Sequence, residues 1–272
     1  QSTALSAISM PFITSGLRAN PPSERLRHAS FGANGMAGAD IGSLARSKHF
    51  DLVAVADVDL KRAEGIRKRF PKAKFYQDWR ELLEKEDKNI DSVNVSTPDH
   101  MHGPIGLSAM DLGKHCYGQK PLAHNIKECR AMAQMAKSKK LMTQMGIQIS
   151  SAFTERLVVS LVQQGAIGKV TRVHSFSGKK WGDMGPVPQK EDKIPEGFNW
   201  DLWLGVAKPR PYISGYYHPG NWRKRRDFGT GTFGDMGCHI FSGWYRSLGL
   251  TSPLSVVSHG PASNDHNWAI NA

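Results

Sequence analysis

Between residues 27 and 145 short apolar runs alternate with amphipathic stretches, and this rhythm leaves few folds open. The runs 28–31, 52–56, 74–76, 92–96, 115–118 and 141–145 read as strands, and the stretches 36–47, 61–70, 79–86, 104–112 and 126–138 read as helices. Pro71 stops the second helix and Gly113 closes the fourth. Runs such as Leu52-Val53-Ala54-Val55-Ala56 are apolar throughout, as expected of strands covered on both faces. Repeated strand–helix units of this kind make a parallel α/β sheet with a helical layer on each side.

The first strand-to-helix turn reads Gly32-Ala33-Asn34-Gly35-Met36-Ala37-Gly38. Against the spacing G-x-G-x-x-G/A, Gly32 takes the first position, Asn34 the second and Ala37 the third. Asn tolerates the left-handed backbone that a glycine would otherwise supply. Such a turn lets backbone N–H groups and a helix N-terminus face a pyrophosphate, so Gly32, Asn34, Gly35, Met36 and Ala37 are candidate cofactor contacts. Asp57 follows the second strand, 57 − 32 = 25 residues after Gly32, near the ~20 expected of a ribose-binding acid. A carboxylate there accepts from the ribose hydroxyls and repels a 2′-phosphate, which favours NAD. Lys61 and Arg62 nearby keep NADP open.

After residue 150 the rhythm changes. Residues 153–164 read as a helix, and Val170-Thr171-Arg172-Val173-His174-Ser175-Phe176-Ser177 alternates with the period of a half-exposed antiparallel strand. Residues 180–229 are rich in Trp, Pro and Gly and too long for a simple connection, which suggests a functional loop region. A helix is expected over 230–247 and another strand over 254–258. One strand and the start of another cannot make an independent sheet, so this second unit reads as truncated. The division expected is a dinucleotide domain over 27–149 and a substrate-binding and oligomerisation domain over 150–272. Residues 1–26 begin without Met and are small and apolar before Ala19-Asn20-Pro21-Pro22, as in an export signal whose basic start is missing or a disordered tail. Export to the periplasm is the expectation and a cytoplasmic location the alternative.

A formal net charge of +12 raises the question of nucleic acid. The charge is spread over predicted helix faces without a nucleic-acid motif, so no such partner is expected. No run approaches the roughly 18 apolar residues of a membrane span. Cys116, Cys129 and Cys238 are odd in number and lack CxxC spacing, which argues against a zinc ribbon or disulfide framework.

Three further clusters carry chemistry. Lys120, in Gly118-Gln119-Lys120-Pro121, follows an apolar strand end, where parallel sheets bind ligands. Partial desolvation beside a positively charged nicotinamide would suit it to proton transfer. Thr97-Pro98-Asp99-His100-Met101-His102 follows the fourth strand at the same edge, making Thr97, Pro98, His100 and His102 candidate cofactor contacts. The HxH pair lacks a third ligand at matching spacing, so no metal is expected. Asp235 and His239 stand four apart and share a helix face; His239 can exchange a hydroxyl proton while Asp235 orients the substrate. Gln148, Tyr217, His218 and Arg223 are plausible partners for a polyhydroxylated substrate. Read singly, each cluster also has a bland structural account, from an ordinary turn to a satisfied core histidine.

Together these segments resemble the Gfo/Idh/MocA oxidoreductases, the family of glucose–fructose oxidoreductase and inositol dehydrogenases. The resemblance runs from about residue 27 to 261 and includes Trp200-Asp201-Leu202-Trp203-Leu204-Gly205, Tyr217-His218-Pro219 and Asp227-Phe228-Gly229-Thr230-Gly231, which look like an exported bacterial subgroup. It implies a Rossmann-type doubly wound sheet followed by an α+β domain with a mostly antiparallel sheet, often used for oligomerisation. It also implies NAD(P) as cofactor, a sugar, cyclitol or polyol substrate, and Lys120, Asp235 and His239 as catalytic residues. Where the family has Glu-Lys-Pro, this chain has Gln119-Lys120-Pro121. Hydride transfer is the leading expectation. A glycosidase or lyase working by transient oxidation without net redox, and a non-catalytic nucleotide-binding protein, are the rivals.

Overall fold

The computed structural model describes residues 24–270; the expectation of an export signal falls almost wholly outside them. Six strands form one parallel sheet: β1 (Leu26–Phe31), β2 (Phe50–Ala56), β3 (Lys74–Tyr76), β4 (Ser92–Val95), β5 (His115–Gln119) and β6 (Thr143–Gly146). Their spatial order is β3-β2-β1-β4-β5-β6, with all pairs parallel. The order reverses between β1 and β4, and the crevice beyond their carboxyl ends is where doubly wound sheets take a ligand.

Helices α1 (Met36–Leu44), α2 (Leu60–Arg69), α3 (Trp79–Glu86), α4 (His102–Asp111) and α5 (Ile126–Ser138) connect these strands. Local chemistry marks their starts. Asp59 accepts from Arg62 N–H at the head of α2, Asp78 from Arg80 N–H at α3, and Asn125 from Glu128 N–H at α5. Arg67, Lys68 and Arg69 fill the last turn of α2, where cations suit the carbonyl end of the dipole. Alternation along the strands splits the core. Ala54, Ala56, Val93 and Val95 pack with Leu82, Ile105, Met110 and Met132 on one face. Leu52 and Val55 pack with Ile41, Ala63 and Ile66 on the other. Each of the larger aliphatic side chains contributes about 1.5–3 kcal/mol by burial.

Beyond β6 the chain builds differently. Helices α6 (Phe153–Gln163) and α8 (Gly231–Ser247) pack together, tied by Ser242 Oγ donating to Glu155 Oε1 (2.8 Å). The intervening chain wraps the short helix α7 (Trp200–Leu204) into an aromatic cluster of Phe198, Trp200, Trp203, Tyr212, Tyr217, Trp222 and Phe228. This cluster closes over the sheet edge through Leu60 N–H to Gly197 O (3.0 Å), Asn199 N–H to Val58 O (2.9 Å) and His100 N–H to Phe228 O (3.3 Å).

Two expected strands are absent. Residues 170–177 and 254–258 form no strand among the described residues, and Phe176 and Leu254 lie open to solvent. A period-two pattern makes a strand only when a neighbour completes the backbone ladder. Among the described residues neither segment has such a neighbour, so an antiparallel second sheet is not seen there.

Candidate active site

The crevice at the sheet edge is a cavity of about 510 Å³, lined from both halves of the chain. That volume lies within the range of small-molecule sites. Gly32, Asn34, Gly35 and Met36 form one end. Gly32 has φ +101°, and a Cβ there would lie 2.7 Å from Ser96 O, so only glycine fits. Gly35, at φ +59°, precedes α1 without any side-chain cap, leaving the helix N–H groups to a ligand. Ala37 is fully buried under Gly32 rather than at the cavity wall, and serves the helix–strand packing. Asn34 reaches sideways: its Nδ2 donates to Arg62 O (2.9 Å), and its Oδ1 accepts from Gly35 N–H (2.6 Å) and Arg62 Nη2 (3.2 Å).

Asp57 borders the same end. Its two oxygens accept from Ala33 N–H and Asp59 N–H, both at 2.9 Å, which fixes the carboxyl plane. Burial pushes its pKa up to about 6 against the pull of those bonds. A carboxylate held this way keeps lone pairs for ribose hydroxyls. An uncapped helix N-terminus, a close-approach glycine and a fixed acid together fit a nicotinamide dinucleotide.

At the other end Lys120 and Asp235 meet. Lys120 Nζ donates to Asp235 Oδ1 (2.7 Å) and to Asp235 O (2.9 Å). This joins the loop after β5 to the interior of α8. Arg223 Nε donates to the same Oδ1 (3.2 Å), and its guanidinium lies 4.2 Å from the Trp222 ring centre and 5.3 Å from that of Trp181. One carboxylate thus serves two cations. Burial works to raise the Asp235 carboxyl, but Lys120 and Arg223 outweigh it and hold it below the ordinary range. His239, one turn on, also faces the cavity; burial first, then Lys120, lower its pKa and favour the neutral ring at pH 7. A neutral imidazole beside an ion pair can accept a proton from a hydroxyl brought into the cavity.

The remaining candidates divide. Thr97, Pro98, His102, Gln148 and His218 border the cavity. His102 braces the site, its ring nitrogens 2.7 Å from Thr97 O and Pro121 O. His218 Nε2 meets Asp59 Oδ2 (3.1 Å), and Gln148 Nε2 lies 3.2 Å from Met36 Sδ. His100 and Tyr217 lie outside the cavity. His100 is 2 % exposed, hydrogen-bonded to Trp203 O and packed on Trp203 and Phe228, and burial pushes its pKa down to about 3. Tyr217 is 3 % exposed inside the aromatic cluster.

Sequence reasoning missed two buried acids. Asp99 accepts from Thr230 Oγ1 (2.8 Å), linking the loop after β4 to the head of α8, and burial pushes its pKa up to about 7. Asp40, on α1, binds both Gln119 and Ser96 behind the cavity wall. The signal for Asp40 was a charge on the apolar face of a helix. Asp99 stood in a motif taken for its neighbours.

A doubly wound sheet with such a turn and cavity defines the class of nicotinamide dinucleotide-binding oxidoreductase domains. The model of the oxidoreductase family with an NAD-binding Rossmann fold matches residues 26–147, and that of its C-terminal alpha/beta domain matches 153–271. The chain belongs to this Gfo/Idh/MocA family. Levoglucosan dehydrogenase of Pseudarthrobacter phenanthrenivorans is 25% identical over 203 residues, covering 75% of this chain and 44% of the relative. An alpha-N-acetylgalactosaminidase of Shewanella oneidensis is 30% identical over 109 residues, 39% of this chain and 23% of the relative. Among solved structures, myo-inositol 2-dehydrogenase of Lactobacillus plantarum is 24% identical with a TM-score of 0.50, covering 54% of this chain and 43% of that one, a likeness of fold. The chain thus spans less than half the length of these relatives.

Proposed function

We propose that the protein is an NAD(P)-dependent oxidoreductase acting on a CH–OH group of a sugar, cyclitol or related polyol. The observation that carries this reading is the Lys120–Asp235 contact at 2.7 Å, which brings a sheet-edge lysine and the α8 face holding His239 into the dinucleotide cavity. Bound NAD(P) would supply the hydride acceptor or donor. Gly32, Gly35 and the head of α1 hold the pyrophosphate, Asp57 holds the ribose and favours NAD, and Thr97, Pro98 and His102 shape the nicotinamide end. Neutral His239 takes the proton of the substrate hydroxyl. Lys120 has two of its three N–H bonds committed to Asp235, which leaves one to polarise the substrate oxygen. Asp235 Oδ2, together with Arg223, His218 and Gln148, orients the remaining hydroxyls.

A second reading has one observation in its favour: relatives such as the Shewanella oneidensis protein are described as glycosidases. In it the same groups oxidise a sugar transiently, eliminate and reduce it again, without net redox. Incubating the full-length protein with NAD and a panel of sugars and their aryl glycosides separates the two. NADH accumulating with substrate supports the first reading. Glycoside cleavage with no net NADH supports the second, and neither activity in a protein that binds NAD would defeat both in favour of a binding role. The division into domains at 27–149 and 150–272, an antiparallel sheet that completes the second domain in a longer chain, homo-oligomer formation through that sheet and export to the periplasm belong to the same proposal.

A further inference from the structure

A single buried chain of hydrogen bonds runs beneath the cavity and ends on Asp40. Ser92 Oγ lies 2.7 Å from His28 Nδ1, and His28 Nε2 lies 3.0 Å from Asn94 Oδ1. Because Asn94 Oδ1 only accepts, the proton of this neutral ring sits on Nε2, and Nδ1 accepts from the Ser92 hydroxyl. Asn94 Nδ2 then donates to Ser96 Oγ (2.8 Å), and Ser96 Oγ donates to Asp40 Oδ2 (2.7 Å). From the other side Gln119 Nε2 lies 2.9 Å from both oxygens of Asp40. Ser96 Oγ and Gln119 Nε2 donate to one carboxylate, 8 % exposed, and no cation among the described residues pairs with it. Ser96 and Gln119 border the cavity, whereas Asp40 stands one side chain behind them. Gln119 immediately precedes Lys120, and its Oε1 accepts from Lys120 N–H at 3.3 Å.

Burial pushes the Asp40 carboxyl above its ordinary range, while the hydrogen bonds from Ser96 and Gln119 favour its ionised form; in that form a low-dielectric wall transmits its charge into the cavity. Of the two cofactor forms, the oxidised nicotinamide ring carries a positive charge and the reduced ring does not. We propose that Asp40 is a positioning residue that fixes the Gln119 amide beside Lys120, and that its charge makes the site prefer the oxidised cofactor over the reduced one. The inference rests on the dinucleotide reading of the cavity. Turnover and substrate play no part in it.

The test is titration of the full-length protein with NAD⁺ and with NADH, or with the phosphorylated pair if that is what the wild type holds. In Asp40→Asn the side chain keeps its shape and can still accept from Gln119, but the charge is gone. The ratio of Kd for the oxidised form to Kd for the reduced form should rise about tenfold, the scale of one partly screened charge. The swap Asp40→Asn with Gln119→Glu returns one carboxylate to the same hydrogen bond, now at the cavity border, and should bring the ratio back to the wild-type value or below it. A purely structural role for Asp40 would weaken both forms equally, leave the ratio unchanged and overturn the proposal, as would a swap whose ratio stays above that of the wild type. If Asp40→Asn does not fold, the swap alone decides: a ratio at or below the wild-type value supports the proposal and one above it overturns it. A wild type that binds neither form would instead sink the dinucleotide reading itself.

Discussion

The two halves of the chain reach burial by opposite routes. The sheet half repeats one local unit, and its core is aliphatic and layered, with Val93 and Val95 of β4 and Leu82 of α3 sealed between sheet and helices. The half after β6 has no strand among its described residues and buries itself through rings: Trp203 stacks on Trp200 at 4.8 Å and meets Phe228 at 4.8 Å, with Tyr217 beside both. Periodic backbone hydrogen bonding lets small aliphatic residues suffice in the first. Without a ladder, the second depends on large surfaces and on tryptophan N–H groups reaching carbonyls, as Trp200 Nε1 reaches Arg210 O (2.7 Å). The cavity lies where the two meet, so a sheet-edge lysine and an α8 aspartate become neighbours.

The contrast can be broken at several strengths. Phe228→Ala should cost about 3–5 kcal/mol and Leu82→Ala about 2–5 kcal/mol in chemical denaturation. If the halves are one cooperative body, both variants unfold in a single transition; a separate early transition in Phe228→Ala alone would show the aromatic half to be independent. At the seam, Asp235→Ala leaves Lys120 and Arg223 facing each other without their shared carboxylate, at a cost of about 3 kcal/mol. Turnover should fall at least about 100-fold, as for loss of a group that orients proton transfer. A variant that loses activity while keeping its stability would mean that the ion pair does not hold the halves together.

A third test lies within the sheet half. Burial depresses the His28 pKa from 6.5 to about 4, so the folded state keeps the ring neutral while the unfolded chain protonates it. The resulting stability is complete above pH 6.5 and is lost as the pH falls through 4, a slope worth up to roughly 3 kcal/mol. Urea midpoints measured across that window should show the slope in wild type and lose most of it in His28→Gln. An unchanged slope would place the acid sensitivity elsewhere. The smallest effect is at the outer seam. Lys61 and Glu196 pair at 3.4 Å with both side chains well exposed, and Lys61→Ala should change stability by less than about 0.5 kcal/mol.

The sheet half was legible because each of its elements declares itself within a few residues. The runs 74–76, 79–86 and 126–138 match the observed elements, and Asp59, Asp78 and Asn125 mark helix starts. Residues 170–177 carry a strand's alternation without a strand's neighbour, and sequence alone does not reveal the neighbour. Gly32 and Asp57, which stand out in the sequence by their places after β1 and β2, both border the cavity. His100 and Tyr217 have the right chemistry, but the aromatic cluster turns them inward: His100 packs on Trp203, more than 100 positions on, and Tyr217 among rings between 198 and 228 that no local period announces. Asp99 and Asp40 were opaque for the same reason, since their partners Thr230 and Gln119 lie far along the chain.

The central claim is that Lys120, set between Asp235 and the dinucleotide cavity, serves the chemistry and not merely the binding. The most direct measurement is single-turnover reduction of saturating NAD⁺ by a substrate sugar in wild type and Lys120→Ala, with NAD⁺ affinity measured alongside. The account predicts a rate at least about 100-fold lower in the variant with affinity within a few-fold of wild type. An unchanged rate of NADH formation in Lys120→Ala would contradict it.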